Sequence, residues 1–375
     1  METTTDAKTF ADALAVLKRY AGTGASNVKS AEWVELRVPD GCGTIVLRRW
    51  ALKTGSDVSA SITAGGGTPG TAYVDAAALA DAVKGLTGTL TLASDGERVT
   101  ITAGGATASL RAQNGADFPA SHGYPLRPFA TIADREREAF AGVLTAASKG
   151  DDARAVLTGV YFDHEAREAV ATDTYRMAAA RIRTLHATGI IPADVLRIAN
   201  ATATGGMELH ADTDGERYLL TYRSVKGTKK SPRIVAVSAY GRMVPGPFPN
   251  YAAIVAPARD DAEYTWTITD ATGTADAIGA FRNTRNTPVH VEASGSAVRA
   301  SVTLPDGGGT RDAYPPITTD GRDEALAAAA FNPAYFVDAV KHAGDGATIG
   351  IRDGLRAAYF DGGDRYALLM PMRVN

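Results

Sequence analysis

Residues 89–103 read TLTLASDGERVTITA. Leu90 and Leu92 before Asp95-Gly96, and Val99 and Ile101 after it, alternate with polar residues, so each run has one apolar face. Asp-Gly between two such runs signals a β-hairpin, because the turn needs positive φ at one or two positions. The tetrapeptide returns as Asp214-Gly215-Glu216-Arg217 between MELHADT and YLLTY, and in weaker form as Asp353-Gly354-Leu355-Arg356 between TIGI and AAYF. A helix precedes each hairpin. Leu79, Ala82, Val83 and Leu86 fall at i, i+3, i+4, i+7, and Phe336, Ala339, Val340 and Ala343 repeat that spacing. Both stretches contain DAVK (81–84 and 338–341), with the lysine off the apolar stripe. The middle copy runs from Pro192 to Ala201, with Val195, Ile198 and Ala199 inward and Arg197 outward.

An earlier helix opens each unit. Phe10, Leu14 and Leu17 make one stripe beside Lys18 and Arg19, and a second begins near Ala133 with Phe140, Val143 and Leu144. The third, Thr272 to Arg285, is weakened by Gly273 and Gly279. Starts near residues 8, 133 and 272 divide the chain into thirds, each ordered helix, strands, helix, strands. The fold class expected is α+β: three similar domains, each with two helices packed on antiparallel sheets.

Bulk composition agrees with a folded, multidomain protein. At 375 residues one core is too small, and 45% hydrophobic against 22% charged residues argues against disorder. A single cysteine, Cys42, excludes an internal disulfide and a cysteine-built zinc site. No run of about 18 apolar residues is present, and METTTDAKTF lacks the apolar stretch of a signal peptide, so a cytoplasmic protein without a membrane partner is expected. A formal net charge of −3 leaves room for one basic face without making nucleic acid the default partner.

Catalytic patterns are missing. The six histidines are scattered, no pair lies at i, i+4, and HExxH, GxSxG and GxxxxGK[ST] do not occur. The Gly307-Gly308-Gly309 run reads as a surface loop, and Asp151-Asp152 and Asp260-Asp261 as solvated loops rather than metal ligands. The basic stretch KGTKKSPR (226–233) reads as a polar excursion between strands in preference to a phosphate grip. A binding role without catalytic residues, metal or cofactor is therefore expected.

Three further stretches carry a resemblance: Ala171-Thr172-Asp173-Thr174-Tyr175-Arg176-Met177-Ala178, Phe248-Pro249-Asn250-Tyr251 and Met370-Pro371-Met372-Arg373-Val374. In that order they resemble ATDGHRLA, FPDY and MPMRL of the bacterial DNA sliding clamp, the β subunit of the replicative polymerase. Ala116-Asp117-Phe118-Pro119 is similar to the end of that family's first domain. The resemblance implies clamp domains at 1–126, 127–256 and 257–375, and a head-to-tail homodimer closing into a ring with helices lining the hole. It implies a non-enzymatic processivity factor that encircles duplex DNA whatever its sequence and is loaded by a separate clamp loader. It would tether DNA polymerase through short peptides and work in the cytoplasm on the nucleoid. A ring holds DNA by topology, so its inner wall needs only loose phosphate contacts.

Candidates for that wall, on the helices and adjoining loops, are Lys18, Arg19, Lys29, Lys84, Lys149, Arg154, Arg197, Arg282 and Lys341. The peptide pocket carried over from the family comprises Leu157, Thr172, Thr174, Tyr175, Arg176, Met177, Pro249, Ile254, Leu355, Leu368, Leu369, Met370, Pro371, Met372, Arg373 and Val374. Methionine suits such a surface because its flexible thioether chain remoulds around different peptides. For the dimer seam the expectation is the region around Ala280-Phe281 against the partner's first domain, with the third domain's core as the equal alternative for Phe281. The chain departs from the family at Thr174-Tyr175, where Gly-His is usual, at Ala253, where arginine is frequent, and at Lys53-Thr54-Gly55-Ser56 in place of a TDLE-like segment. Such divergence suits a second clamp copy or one carried by a virus; Asn375 after the usual stop has no counterpart. Two rival readings are an enzyme with an interdomain active site and a monomeric peptide-binding scaffold.

Overall fold

A computed structural model describes residues 1–22, 28–120, 125–150, 154–281, 287–303, 309–319 and 329–373. It is α+β, with three sheet-rich domains along the chain. The helices are α1 (Ala7–Ala21), α2 (Ala76–Val83), α3 (Arg137–Ala146), α4 (Ala193–Thr202), α5 (Ala252–Asp260), α6 (Ala271–Gly279) and α7 (Pro333–Ala343). Several start the same way: a strand or loop delivers an Asp or Asn whose side chain accepts from the first turn. Asp6 caps α1 through Thr9 N (2.8 Å), Asp75 caps α2 through Ala78 N (2.7 Å), and Asp270 caps α6 through Gly273 N (2.9 Å). Asn332 caps α7 with Pro333 at its first position. Each such cap stabilises its helix by about 1 kcal/mol.

The chain forms two compact units, residues 1–134 with 194–243 and residues 135–193 with 244–375, so the middle third contributes to both. In the first unit, strands 67–68, 2–6, 89–94, 98–103 and 106–111 make one antiparallel sheet. A second sheet runs through 126–132, 207–212, 217–228, 231–242, 56–63, 44–51, 33–38 and 70–75. Its continuity depends on Ala236–Tyr240 pairing with Asp57–Ser61, which joins the middle domain to the first. The core under α1 holds Phe10, Leu17 and Tyr20. There the Tyr20 hydroxyl donates to Tyr222 Oη (3.1 Å), and Thr202 Oγ1 donates to the same oxygen (2.8 Å), so the buried phenols are satisfied.

In the second unit one antiparallel sheet runs through 189–192, 159–163, 168–172, 176–181, 365–369, 358–361, 348–351, 264–268, 317–318, 297–303, 289–294 and 329–331. Arg176 to Ala180 pair with Leu369 to Arg365, so the middle and third domains also share a sheet. Phe336 of α7 packs between Phe331 and Phe360, at ring distances of 5.6 and 5.4 Å.

The three expected hairpins are present, with Asx turns at their tips. Asp95 Oδ1 accepts from Glu97 N and Arg98 N, and Asp353 Oδ1 from Leu355 N and Arg356 N. In the middle copy the acceptor is Asp212, two residues earlier than the Asp-Gly pair suggests. Gly96 and Gly215 have positive φ, whereas Gly354 does not.

Other expectations need correction. Lys84 turns out of the helix at ψ 123, which leaves the half-buried Leu86 beyond α2. In α4 the fully buried positions are Ala193, Val195, Leu196 and Ala199, and Ile198 is half-buried. The first helix of the third domain ends at Gly279, and residues 282–285 lie outside the described residues. Helix α5 was not foreseen, and residue 256 falls inside it. Strand pairing runs through KGTKKSPR, so the polar excursion expected between strands is the paired tip of a long hairpin.

Candidate partner-binding and nucleic-acid surfaces

The stretch 171–178 is a strand, a tight turn and a second strand. Asp173 Oδ1 accepts from Tyr175 N and Arg176 N (3.1 Å each), and Thr172 Oγ1 donates to Arg176 O (2.7 Å). This turn forces Thr174 to φ 78, a left-handed conformation that costs a residue with a Cβ about 1 kcal/mol or more. Thr174→Gly is expected to raise stability by about 0.5–1 kcal/mol, read as a higher urea midpoint. A lower midpoint would refute the strain.

The turn presents Tyr175, which is 66% exposed, beside Met370, which is 41% exposed. Met370 N donates to Tyr175 O at 2.9 Å. Arg176, placed by sequence on the pocket surface, is instead packed inward. Its Nε donates to Asp173 Oδ2 (2.9 Å), Nη1 to Asp338 Oδ2 (2.7 Å) and Nη2 to Thr145 O (2.6 Å), and its guanidinium stacks 4.0 Å from the Tyr335 ring centre. Asp338 and Tyr335 on α7 were not anticipated; nothing in their local sequence announces a partner so far along the chain.

Strand alternation separates Leu368 from Leu369. Leu368 joins Met177, Val170, Ala179, Val255 and Tyr359 in a small buried cluster on one face, whereas Leu369 belongs to the third domain's main core. Leu369 is therefore a core residue rather than a pocket residue. Leu157 is also fully buried, with its carbonyl accepting from Ser148 N at 2.9 Å. Thr172, Pro371 and Met372 are half-buried, while Thr174, Pro249, Ile254, Leu355 and Arg373 are exposed. Val374 and Asn375 lie outside the described residues.

The FPNY stretch seals the small cluster. Phe248 stacks on Tyr161 at 4.8 Å, and the Tyr251 hydroxyl donates to Asp163 Oδ2 at 2.9 Å. Nearby the Tyr366 hydroxyl donates to Glu168 Oε2 at 2.8 Å. Burial raises the Glu168 carboxyl pKa, the Tyr366 hydrogen bond working against it, and burial pushes the Tyr359 phenol up to about 12. These aromatics, apart from Phe248 and Tyr251, escaped the sequence reading because strand alternation does not distinguish a packed tyrosine from an exposed one.

Of the wall candidates, Lys18, Arg19, Lys29, Lys84, Lys149, Arg154 and Lys341 are exposed. Arg197 is half-buried and bonded to Asp194 Oδ1 (2.8 Å), and Arg282 lies outside the described residues. Lys18 and Lys84 border one groove between α1 and α2. At the expected seam Ala280 is exposed, but Phe281 is 1% exposed within the third domain's core. The helix-ending turn, with Phe281 N donating to Ile278 O at 3.0 Å, directs the ring inward, so of its two readings Phe281 takes the core one. Among the described residues no three His, Cys, Asp or Glu side chains are grouped to hold a metal. No helix among them is long and apolar enough to cross a membrane.

Solved structures match this architecture from end to end. The β subunit of DNA polymerase from Streptococcus pyogenes superposes with a TM-score of 0.83 over 100% of both chains, at 18% identity. The chain has the fold of a sliding clamp. A DnaN sliding clamp from Bartonella birtlesii, solved bound to griselimycin, gives 0.82 at 19% identity, again over 100% of both chains. The pol III β of Caulobacter crescentus gives 0.81 at 18% over 100% of both. No family model matches the sequence.

Proposed function

We propose that the protein is a DNA sliding clamp, a non-catalytic processivity factor that encircles duplex DNA as a head-to-tail homodimer and tethers a DNA polymerase. The observation that carries this reading is the match to clamp structures over the whole chain rather than one module of it. With this reading we also propose clamp domains at about 1–126, 127–256 and 257–375 and a place on the bacterial nucleoid. The exposed cations on and beside α1, α2, α3 and α7 suit the inner wall, since scattered lysines hold phosphates loosely enough to slide. Ala280 and the edge strands are the surfaces offered for ring closure. No cofactor is required.

The second surface is the one presented by Tyr175, Met370, Pro371, Met372 and Ile254, with Met177 and Leu368 as its floor. It is proposed to take short peptides from the polymerase and the clamp loader. Exposed methionine and tyrosine over a buried apolar floor suit a peptide anchor.

After loading onto a nicked plasmid, the protein is expected to co-elute with the circle in gel filtration and to leave when the plasmid is linearised. Equal retention on both forms would remove topological linkage. A chain ending at Leu369 should keep its dimer in light scattering and lose binding to a clamp-motif peptide; unchanged binding would remove the pocket.

A further inference from the structure

The hairpin of residues 217–228 and 231–242 outgrows the sheet that carries it. Its first strand is covered by the neighbouring strand only at 218–222, and its second only at 236–240. Residues 223–235 therefore stand as a two-stranded ribbon, paired from Arg223↔Ala236 to Thr228↔Ser231 and turning at Lys229-Lys230. A two-stranded ribbon is marginal by itself. At the base of this one Thr204 N donates to Arg223 O (2.7 Å), Val225 N donates to Thr204 Oγ1 (3.1 Å), and Ser224 and Val235 are buried. It is also fastened to α1: Lys226 Nζ donates to Asp12 Oδ1 (2.9 Å) and Arg233 Nε to Asp12 Oδ2 (2.8 Å), and the two cations are direct cross-strand partners.

The charge of the ribbon is one-sided. Arg223, Lys226, Lys229, Lys230 and Arg233 stand in thirteen residues without a carboxylate, in a chain whose net charge is −3. The ribbon lands on the exposed side of α1, where Lys8, Lys18 and Arg19 are displayed and Asp12 is the carboxylate among them. Two ribbon cations neutralise that carboxylate. Arg233 then borders the same groove, about 820 Å³, as Lys8, Lys18 and Lys84. Around that groove the cations Lys8, Lys18, Arg49, Lys84 and Arg233 outnumber the carboxylates Asp12, Glu32 and Asp75, and Lys229 and Lys230 carry the positive charge on into solvent.

We propose that ribbon 223–235 is a phosphate-contacting arm that continues the basic side of α1 and takes the backbone of duplex DNA, whatever its sequence. The choice of duplex DNA rests on the clamp reading. The choice of a phosphate backbone over an acidic protein rests on the arm itself. Its exposed apolar groups are Val225, its cross-strand partner Ile234 and Pro232 beside the turn, and it carries none of the aromatic anchors that dominate protein interfaces. Lysines at a turn, with no pocket to fix them, suit contacts that reform as the DNA moves past.

The test uses the full-length protein, K229E/K230E and K229Q/K230Q, with a labelled 30-base-pair duplex followed by anisotropy between 20 and 150 mM NaCl. Each lost phosphate contact lowers the slope of log K against log salt by about 0.9, so both variants should lose about 2 in slope. Binding at the lowest salt should weaken roughly 10-fold or more, further for the charge reversal. Unchanged slope and affinity would overturn the proposal, as would wild-type protein that fails to bind duplex at 20 mM NaCl. Polyglutamate competing as well as unlabelled duplex would also overturn it, in favour of an acidic protein partner. Retention on nicked plasmid is measured in parallel. Its loss in the wild type would remove the ring reading while a changed salt slope kept the arm, and the converse result would remove the arm alone.

Discussion

Arg176→Ala is expected to destabilise the second unit by about 3 kcal/mol, because it breaks a nearly buried ion pair and strands its partners. The guanidinium is 11% exposed and holds Asp173, Asp338 and the Thr145 carbonyl while lying flat on Tyr335. Asp338 is 31% exposed and recovers some hydration, which keeps the loss at the low end for a buried pair. The Thr145 carbonyl is left without this donor. For a cooperative unit of this size, the melting temperature should fall by roughly 6–10 °C in calorimetry. Arg176→Lys should recover less than half, since one ammonium cannot replace a planar fork that bonds three groups and stacks on a ring. A melting temperature within a degree of wild type would show that the network contributes nothing net. The same substitution should weaken clamp-motif peptides, because Arg176 fixes the turn that sets Tyr175 beside Met370.

The case of Arg176 marks the boundary of what could be read from the sequence. Local features were legible. The alternation around Asp95-Gly96 and the DAVK stripes are short-range patterns, and the structure has the hairpins and helices they predict. Order along the chain then gave three domains. Features that depend on distant pairing were not legible. Strand 176–181 meets strand 365–369 nearly two hundred residues away, and only that register decides that Leu368 shares a face with Met177 while Leu369 does not. Arg176 looked like a surface residue for the same reason: its partner Asp338 is remote in sequence. The basic stretch 226–233 reads as a polar excursion between strands; that it is itself paired is not legible, because lysine, glycine and proline weaken strand propensity and pairing with its own antiparallel neighbour overrides that preference. Position alone leaves Phe281 open between seam and core, and a single turn after α6 sends it into the core.

Gly142→Ala is expected to cost about 2–3 kcal/mol, although alanine favours a helix interior over glycine by about 1 kcal/mol. Gly142 lies in α3, and a Cβ there would overlap the ring of His342 on α7. That ring has little room to retreat. It is 3% exposed, its Nε2 donates to the Ala179 carbonyl at 2.9 Å, and its Nδ1 faces Gly142 without a hydrogen bond. The glycine is therefore the space that lets α3 lie against a buried imidazole. His342→Ala opens a cavity and is also expected to destabilise, but Gly142→Ala added to it should cost little, because the new methyl group enters the vacated space. A double-mutant cycle in urea should show coupling of at least about 1 kcal/mol; additive losses would mean that the two helices do not meet through this pair. The same histidine makes stability depend on pH. Burial holds its pKa at about 4, with the Ala179 carbonyl working against that and the Arg365 charge adding to it. The unfolded chain protonates near 6.5, so between these values the unfolded state binds more protons and stability falls as the pH falls. The contribution is complete above about pH 6.5, and roughly 3 kcal/mol of it is lost by the time the pH has passed below about 4. His342→Ala should flatten that part of the acid profile in both the single and the double variant. An acid profile of unchanged slope would show that the imidazole is not held neutral by its burial.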